Sequence, residues 1–399
     1  MNLHSVSTRR YIPFIEALEA RIAPASLGGS ATEVTLVSDH VATFTDADGD
    51  IVKIKVSKGT LDQSDFVLVA AGSGADLRKI NFSDDNGEFA GADLKITAKR
   101  DLFSGNGFVN VGFIDSTGAD LGKVSIKGDL GRINAGQPNS SKPAVKSLNV
   151  QSMGALGLAT QDLGGSLTSE FAGSVGAVTV NSDLNGVTLA ALGSIGDVKV
   201  RGSVNGGQIS AGTTLGNVSV LGGITGTAAA PVLITALGNH NATPLHIDLA
   251  IAGIKAGGSV EFLRVLAGAN RAGVVSNEDA SIGKIVVDGD WHASTVLTGS
   301  GAGPDGFEGT ADDSTANNTQ RLFSHIAAIV IGGQAFGTLT VGDSFGIIAE
   351  EIGKLKVGGI RFRLESGEHS PGDLFPLGAT VPGPNGLPSD FVIGEIVPF

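Results

Sequence analysis

The residues best suited to chemistry are carboxylates, and they come in two runs. The stretch "GPDGFEGTADDS" sets Asp305, Glu308, Asp312 and Asp313 within nine residues, between glycines that let carbonyls turn inward. Calcium takes about 6–8 oxygens at about 2.3–2.6 Å, and a loop of this composition offers them. The spacing predicts calcium binding there, against the plainer reading of a solvated acidic loop on an acidic protein. In the second run, "DADGD", Asp46, Asp48 and Asp50 follow EF-like spacing. Gly49 falls one place early, however, and Ser57 stands where such a loop needs a bidentate Glu. A hairpin turn explains the Asp-Gly pair equally well, so this is the weaker of the two calcium candidates.

Catalytic signatures are sparse. "GDSFG" fits the Gly-x-Ser-x-Gly elbow around Ser344, but that motif works only on a strand–turn–helix, and the surrounding pattern is β. Seven histidines are scattered at 4, 40, 240, 246, 292, 325 and 369, with no H-E-x-x-H or comparable ligand pair. "GSG" at 72–74 lacks the third glycine and the helix of a phosphate cradle. For acid–base work on a glycan, Asp288 and Asp290 beside the 298–320 insertion are the remaining pair.

The elements that must position these groups are legible in a repeat. "VGAVTVNSDLNGVTLAALGS" (175–194), "IGDVKVRGSVNGGQISAGTT" (195–214) and "LGNVSVLGGITGTAAAPVLI" (215–234) follow one another at twenty-residue intervals. Val178, Val198 and Val218 share position 4, Val180, Val200 and Val220 position 6, and Leu184, Val204 and Ile224 position 10. Gly186, Gly206 and Gly226 share position 12. Looser copies begin at Leu121, Val145, Ile251, Ile282, Ile326, Phe336 and Ile352.

Val-x-Val has the period of a strand with one buried face. Glycine between the strands permits positive-φ corners. One such unit cannot close a core, whereas units stacked about 4.8 Å apart build continuous aliphatic columns. Propeller blades need about 40–50 residues, and the Leu/Asn signature of leucine-rich repeats is absent. The pattern predicts an all-β fold, a parallel β-solenoid with roughly twenty-residue coils. Trp291 replaces an inward residue, and Val341 and Phe345 fall at inward positions 6 and 10 of the Phe336 copy. The outward positions of the regular coils are Lys, Arg, Ser, Asn and Thr, without exposed aromatics.

Around the solenoid (116–368) lie a β-rich cap at 30–115, polar insertions at 228–247 and 298–320, and a Pro/Gly-rich closing segment at 369–399. "VATFTDADGDIVKIKV" (41–56) reads as a hairpin within the cap. Such a cap shields the first edge strand, which otherwise templates aggregation. The 60 glycines are about twice average usage, yet 41% of residues are apolar, enough for a core. A formal charge of −13 repels nucleic acid, and the lack of cysteine excludes disulfides and thiolate metal sites. The apolar run 322–342 holds four glycines and alternates in Ile329, Ile331, Leu339 and Val341, as strands do, so no transmembrane segment is expected.

"FIEALEARIAPASL" (14–27), preceded by "STRR", resembles the Leu-Glu-x-Arg segment near the start of many large exported proteins of planctomycete- and verrucomicrobium-type bacteria. Leu18, Glu19, Arg21 and Ala23-Pro24-Ala25 carry the match, which covers under a tenth of the chain. The resemblance implies export or surface display, with no settled activity, and residues 1–29 as an export-like segment. An amphipathic N-terminal helix is the alternative, since Glu16 and Glu19 interrupt the apolar stretch of a signal peptide. The combined expectation is a non-enzymatic exported or cell-surface structural and adhesive module, stabilised by calcium, with a cell-surface protein or polysaccharide as partner. A carbohydrate-active β-helix enzyme is the alternative.

Overall fold

The computed structural model describes residues 32–83, 86–239, 248–301, 314–315, 323–364, 373–378 and 389–395. The chain divides after Ser30, and everything described lies in the second unit. Among the described residues there is no α-helix. Short strands joined by corners build the unit, with 3-10 turns at Gln63–Asp65 and Gly157–Thr160.

The fold is a parallel β-solenoid, and the twenty-residue register is its coil. In the coil that starts at Val175 the strands are Val175–Val180, Leu184–Asn185 and Thr188–Ala191, one on each of three faces. Each pairs in parallel with its counterpart one coil on: Val178 with Val198 and then Val218, Leu184 with Val204 and then Ile224, Leu189 with Ile209 and then Ile234. These nine side chains are at most 2% exposed. β-Branched side chains suit the pleated inner surface, and only stacking removes them from water, so no coil is stable without its neighbours.

The first-face column continues from Val218 through Ile254, Ile285 and Ile329 to Leu355. On the second face Ile224 pairs with Val260, Val260 with Trp291 and Trp291 with Ala335. Trp291 is fully buried, as its position requires; the small Ala335 lies against it, and its indole N–H donates to the Ser294 carbonyl at 2.9 Å.

At the N-terminal end, Thr35–Ser38, Val41–Thr45, Ile51–Val56 and Ala92–Lys99 form an antiparallel run. Ala92–Lys99 then pairs in parallel with Leu121–Gly136, and Gly74–Asn81 in parallel with Val109–Thr117. The sheet therefore passes from hairpins into coils without a break, and one hydrophobic core runs from Val34 to Ile393. At the far end antiparallel strands cover the last coil: Ile360–Phe362 on Leu355–Val357, and Leu374–Leu377 on Phe391–Glu395. Both ends thus have their open edges turned by hairpins.

One stretch of the register reads differently in three dimensions. Phe336 does not begin a coil; it ends the second-face strand Ala335–Phe336 of the coil that starts at Ile326. Leu339 and Val341 are 80% and 78% exposed, in a corner where the Thr338 hydroxyl donates to Asp343 at 2.6 Å and also accepts the Thr340 amide. Phe345 opens the third-face strand Phe345–Ala349 and is half-buried. Two apolar residues in alternation mimic a buried strand, but the side-chain-bonded turn takes precedence here.

Candidate functional site

The hairpin Val41–Thr45 to Ile51–Val56 turns through the acidic run, with Thr45 opposite Ile51. The Asp46 amide donates to the Asp50 carbonyl (3.0 Å), and the Asp50 amide to Asp46 Oδ1 (2.8 Å). This closed turn brings oxygens of Asp46, Asp48 and Asp50 within 4.8 Å of one another. Asp50 is fully buried and faces the segment 101–107: the Asp101 amide donates to its Oδ1 (2.6 Å), the Gly107 amide to its Oδ2. Gly105 lies so close that a Cβ there would stand 1.7 Å from Asp50 Oδ1. Asp48 Oδ2 accepts the Asn106 amide at 3.1 Å, whereas Asp48 Oδ1 is buried without a hydrogen-bond partner.

The charge balance is visible in Asp46, whose carboxyl is pushed up to about 7. Burial is the main cause; a side-chain hydrogen bond with Asp48 and the charges of Asp48 and Asp50 add to it, while the Asp50 amide opposes. Asp50 is thus committed to backbone amides and staples the 101–107 segment to the hairpin. Asp46, Asp48 and Asp50 offer hard oxygen donors, the unpartnered Asp48 Oδ1 among them, of the kind that a divalent cation such as calcium takes. An EF-hand order does not apply, since Ser57 Oγ accepts the Asp93 amide at 2.8 Å.

Asp305, Glu308, Asp312 and Asp313 lie outside the described residues. A second carboxylate group, which no sequence motif singles out, lies against Gly299 and Ser324. Glu278, Asp279 and Glu350 are 4%, 2% and 8% exposed. The Ser324 amide donates to Glu350 Oε2 (2.5 Å), and the Glu350 amide donates to Ser324 Oγ (3.3 Å). Burial pushes Glu350 up to about 7, with Asp279 and Glu278 adding their charge and the Ser324 bonds opposing. These residues come from different coils, so only stacking brings them together.

The catalytic candidates are placed apart. Ser344 sits in the corner before Phe345–Ala349, with no helix after it, so the elbow geometry is missing. Asp288 and Asp290 are exposed, and Asp290 Oδ1 accepts the Gln334 amide of the next coil at 2.8 Å. Asp183 does the same for Ser203 (2.7 Å) and Asp197 for Asn217 (2.8 Å). These aspartates tie coil to coil.

Aromatic side chains do reach the outer face, contrary to the expectation from the regular coils. The position after the second-face inward residue runs Asn185, Asn205, Thr225, Glu261, His292, Phe336. The Asn205 side-chain Nδ2 donates to Asn185 Oδ1 at 2.8 Å, a polar ladder. Further on, His292 stacks on Phe336 (centroids 4.7 Å, 27°), and its Nδ1 lies 3.1 Å from Glu261 Oε1. Following this register through the insertions is the signal that finds them. No family model, no curated protein and no solved structure matches the chain. No helix among the described residues is long and apolar enough to cross a membrane.

Proposed function

We propose that this chain is a non-enzymatic structural and adhesive module of the cell exterior, a stiff solenoid that presents its outer faces to a surface protein or polysaccharide. The observation that carries the reading is the use of the coil-corner carboxylates: Asp183, Asp197 and Asp290 each accept an amide of the following coil. Carboxylates so engaged serve rigidity, and glycan hydrolysis needs a pair left facing the substrate. The segment around Leu18, Glu19 and Arg21 supports export. In this reading calcium bridges the carboxylates of Asp46 and Asp48 and fastens the 101–107 segment to the hairpin.

Fractionation of expressing cells, with a reducing-end assay on a polysaccharide panel, tests the proposal. The chain is expected at the cell surface or in the medium, with no reducing ends released. A cytoplasmic location, or turnover of any polymer, would overturn it.

A further inference from the structure

The corner after the second-face strand needs a left-handed backbone, and the early coils supply it with Gly186 (φ +62°) and Gly206 (φ +72°). In the coil that contains Val260–Glu261 the same corner is Phe262, at φ +48°, and in the next coil it is the small Ala293, at φ +43°. An L side chain resists this conformation, and a bulky one most of all. Strain of this kind persists where the surroundings over-determine it, and it concentrates at binding sites.

Phe262 stands half-buried in a group of rings. Its centroid is 5.8 Å from His292 (tilted 52°) and 6.5 Å from Phe345 (edge-on, 68°), and His292 continues the stack onto Phe336. The side chain of Glu261, 43% exposed, flanks the rings and accepts hydrogen bonds. Upstream, the same column is the polar series Asn185, Asn205 and Thr225, so within this column the rings gather at one end.

We propose that Glu261, Phe262, His292, Phe336 and Phe345 form a platform for an uncharged polysaccharide. The inference rests on the adhesive reading above and names its partner class. Aromatic faces pack against the C–H face of a pyranose ring, while a carboxylate and an imidazole at the edge take its hydroxyls. A neutral chain is specified by charge: Glu261 lies in the platform, and the protein as a whole carries −13, which repels polyuronates and sulfated glycans.

The test is native affinity electrophoresis of the full chain in gels containing hydroxyethyl cellulose, galactomannan or polygalacturonate, with melting temperatures in parallel. The wild type is expected to be retarded by at least one neutral polymer and not by polygalacturonate. Phe262→Gly should weaken retention about tenfold while melting at or above the wild-type temperature, because glycine suits this corner. Phe262→Asn, which also accepts positive φ, should behave alike. The platform is overturned if neither neutral polymer retards the wild type, if polygalacturonate retards it equally, or if Phe262→Gly binds unchanged. It is equally overturned if both variants melt well below the wild type, since the ring would then be core packing. A chain found at the cell surface and free of hydrolysis, yet failing these gels, would lose the platform while keeping the scaffold reading.

Discussion

Two neighbouring glycines should respond very differently to the same added methyl group. Gly186 has φ +62°, and a Cβ built there meets nothing within 4 Å. Gly186→Ala therefore introduces only the left-handed backbone penalty, about 1–2 kcal/mol. Gly207 has φ +90°, and its Cβ would lie 2.2 Å from the Val187 carbonyl oxygen and 2.8 Å from the Val187 nitrogen, both in the preceding coil. That carbonyl accepts the Gln208 amide at 3.0 Å, a bond that joins the two coils. Relief requires the coils to part there, so Gly207→Ala adds a lost hydrogen bond and a poorly satisfied buried carbonyl to the backbone penalty, roughly 3–5 kcal/mol in all. Urea unfolding followed by far-UV circular dichroism reads both variants, with the slope checked for constancy because repeat arrays can lose cooperativity. Equal destabilisation of the two, or a Gly207→Ala variant within about 1 kcal/mol of wild type, would refute the view that coil spacing is set by backbone contact at these corners.

Two ionisable centres give further predictions. Glu350 keeps its proton up to about 7 in the folded protein, against an ordinary value of 4.5, so the folded state binds more protons across that window and stability falls as pH rises through it. The loss is complete above the folded value and amounts to roughly 3 kcal/mol at most. Melting temperature should drop between about pH 5 and about pH 8, and Glu350→Gln should flatten the drop and exceed wild type at the upper end; parallel profiles would remove the assignment. At the cap, millimolar calcium should raise the melting temperature by a few degrees and Asp48→Asn should abolish the gain. Identical wild-type melts in calcium and in EDTA would exclude the cation.

The inner surface of this protein was readable because every coil imposes the same demand on it. Val178, Val198 and Val218 face the same neighbours, and the hairpin around Asp46–Asp50 follows from alternation and an Asp-Gly turn. Reading failed where local pattern and long-range stacking diverge. Leu339 and Val341 alternate like strand residues, yet a Thr338–Asp343 bond makes them a corner. Glu278, Asp279 and Glu350 carry no shared motif, and their meeting depends on how the chain returns after an insertion. Ile224 pairs with Val260 instead of a residue twenty positions on, so the outer column cannot be followed by counting alone.

The difference between the two surfaces has a physical origin. An inward side chain is judged by the coils above and below it, and any aliphatic group of suitable volume satisfies them. An outward side chain meets water unless something binds, so stacking alone gives no reason to change Asn185 and Asn205 into His292 and Phe336, or to place a phenylalanine at a left-handed corner that other coils fill with the small Gly186, Gly206 and Ala293. Aromatic rings on a solvent face cost solubility, and a left-handed phenylalanine costs stability. Both departures fall at the same corner of adjacent coils. That coincidence separates this end of the rod from the polar ladder before it, and it is why the proposed platform is assigned to the outer face and not to the regular interior.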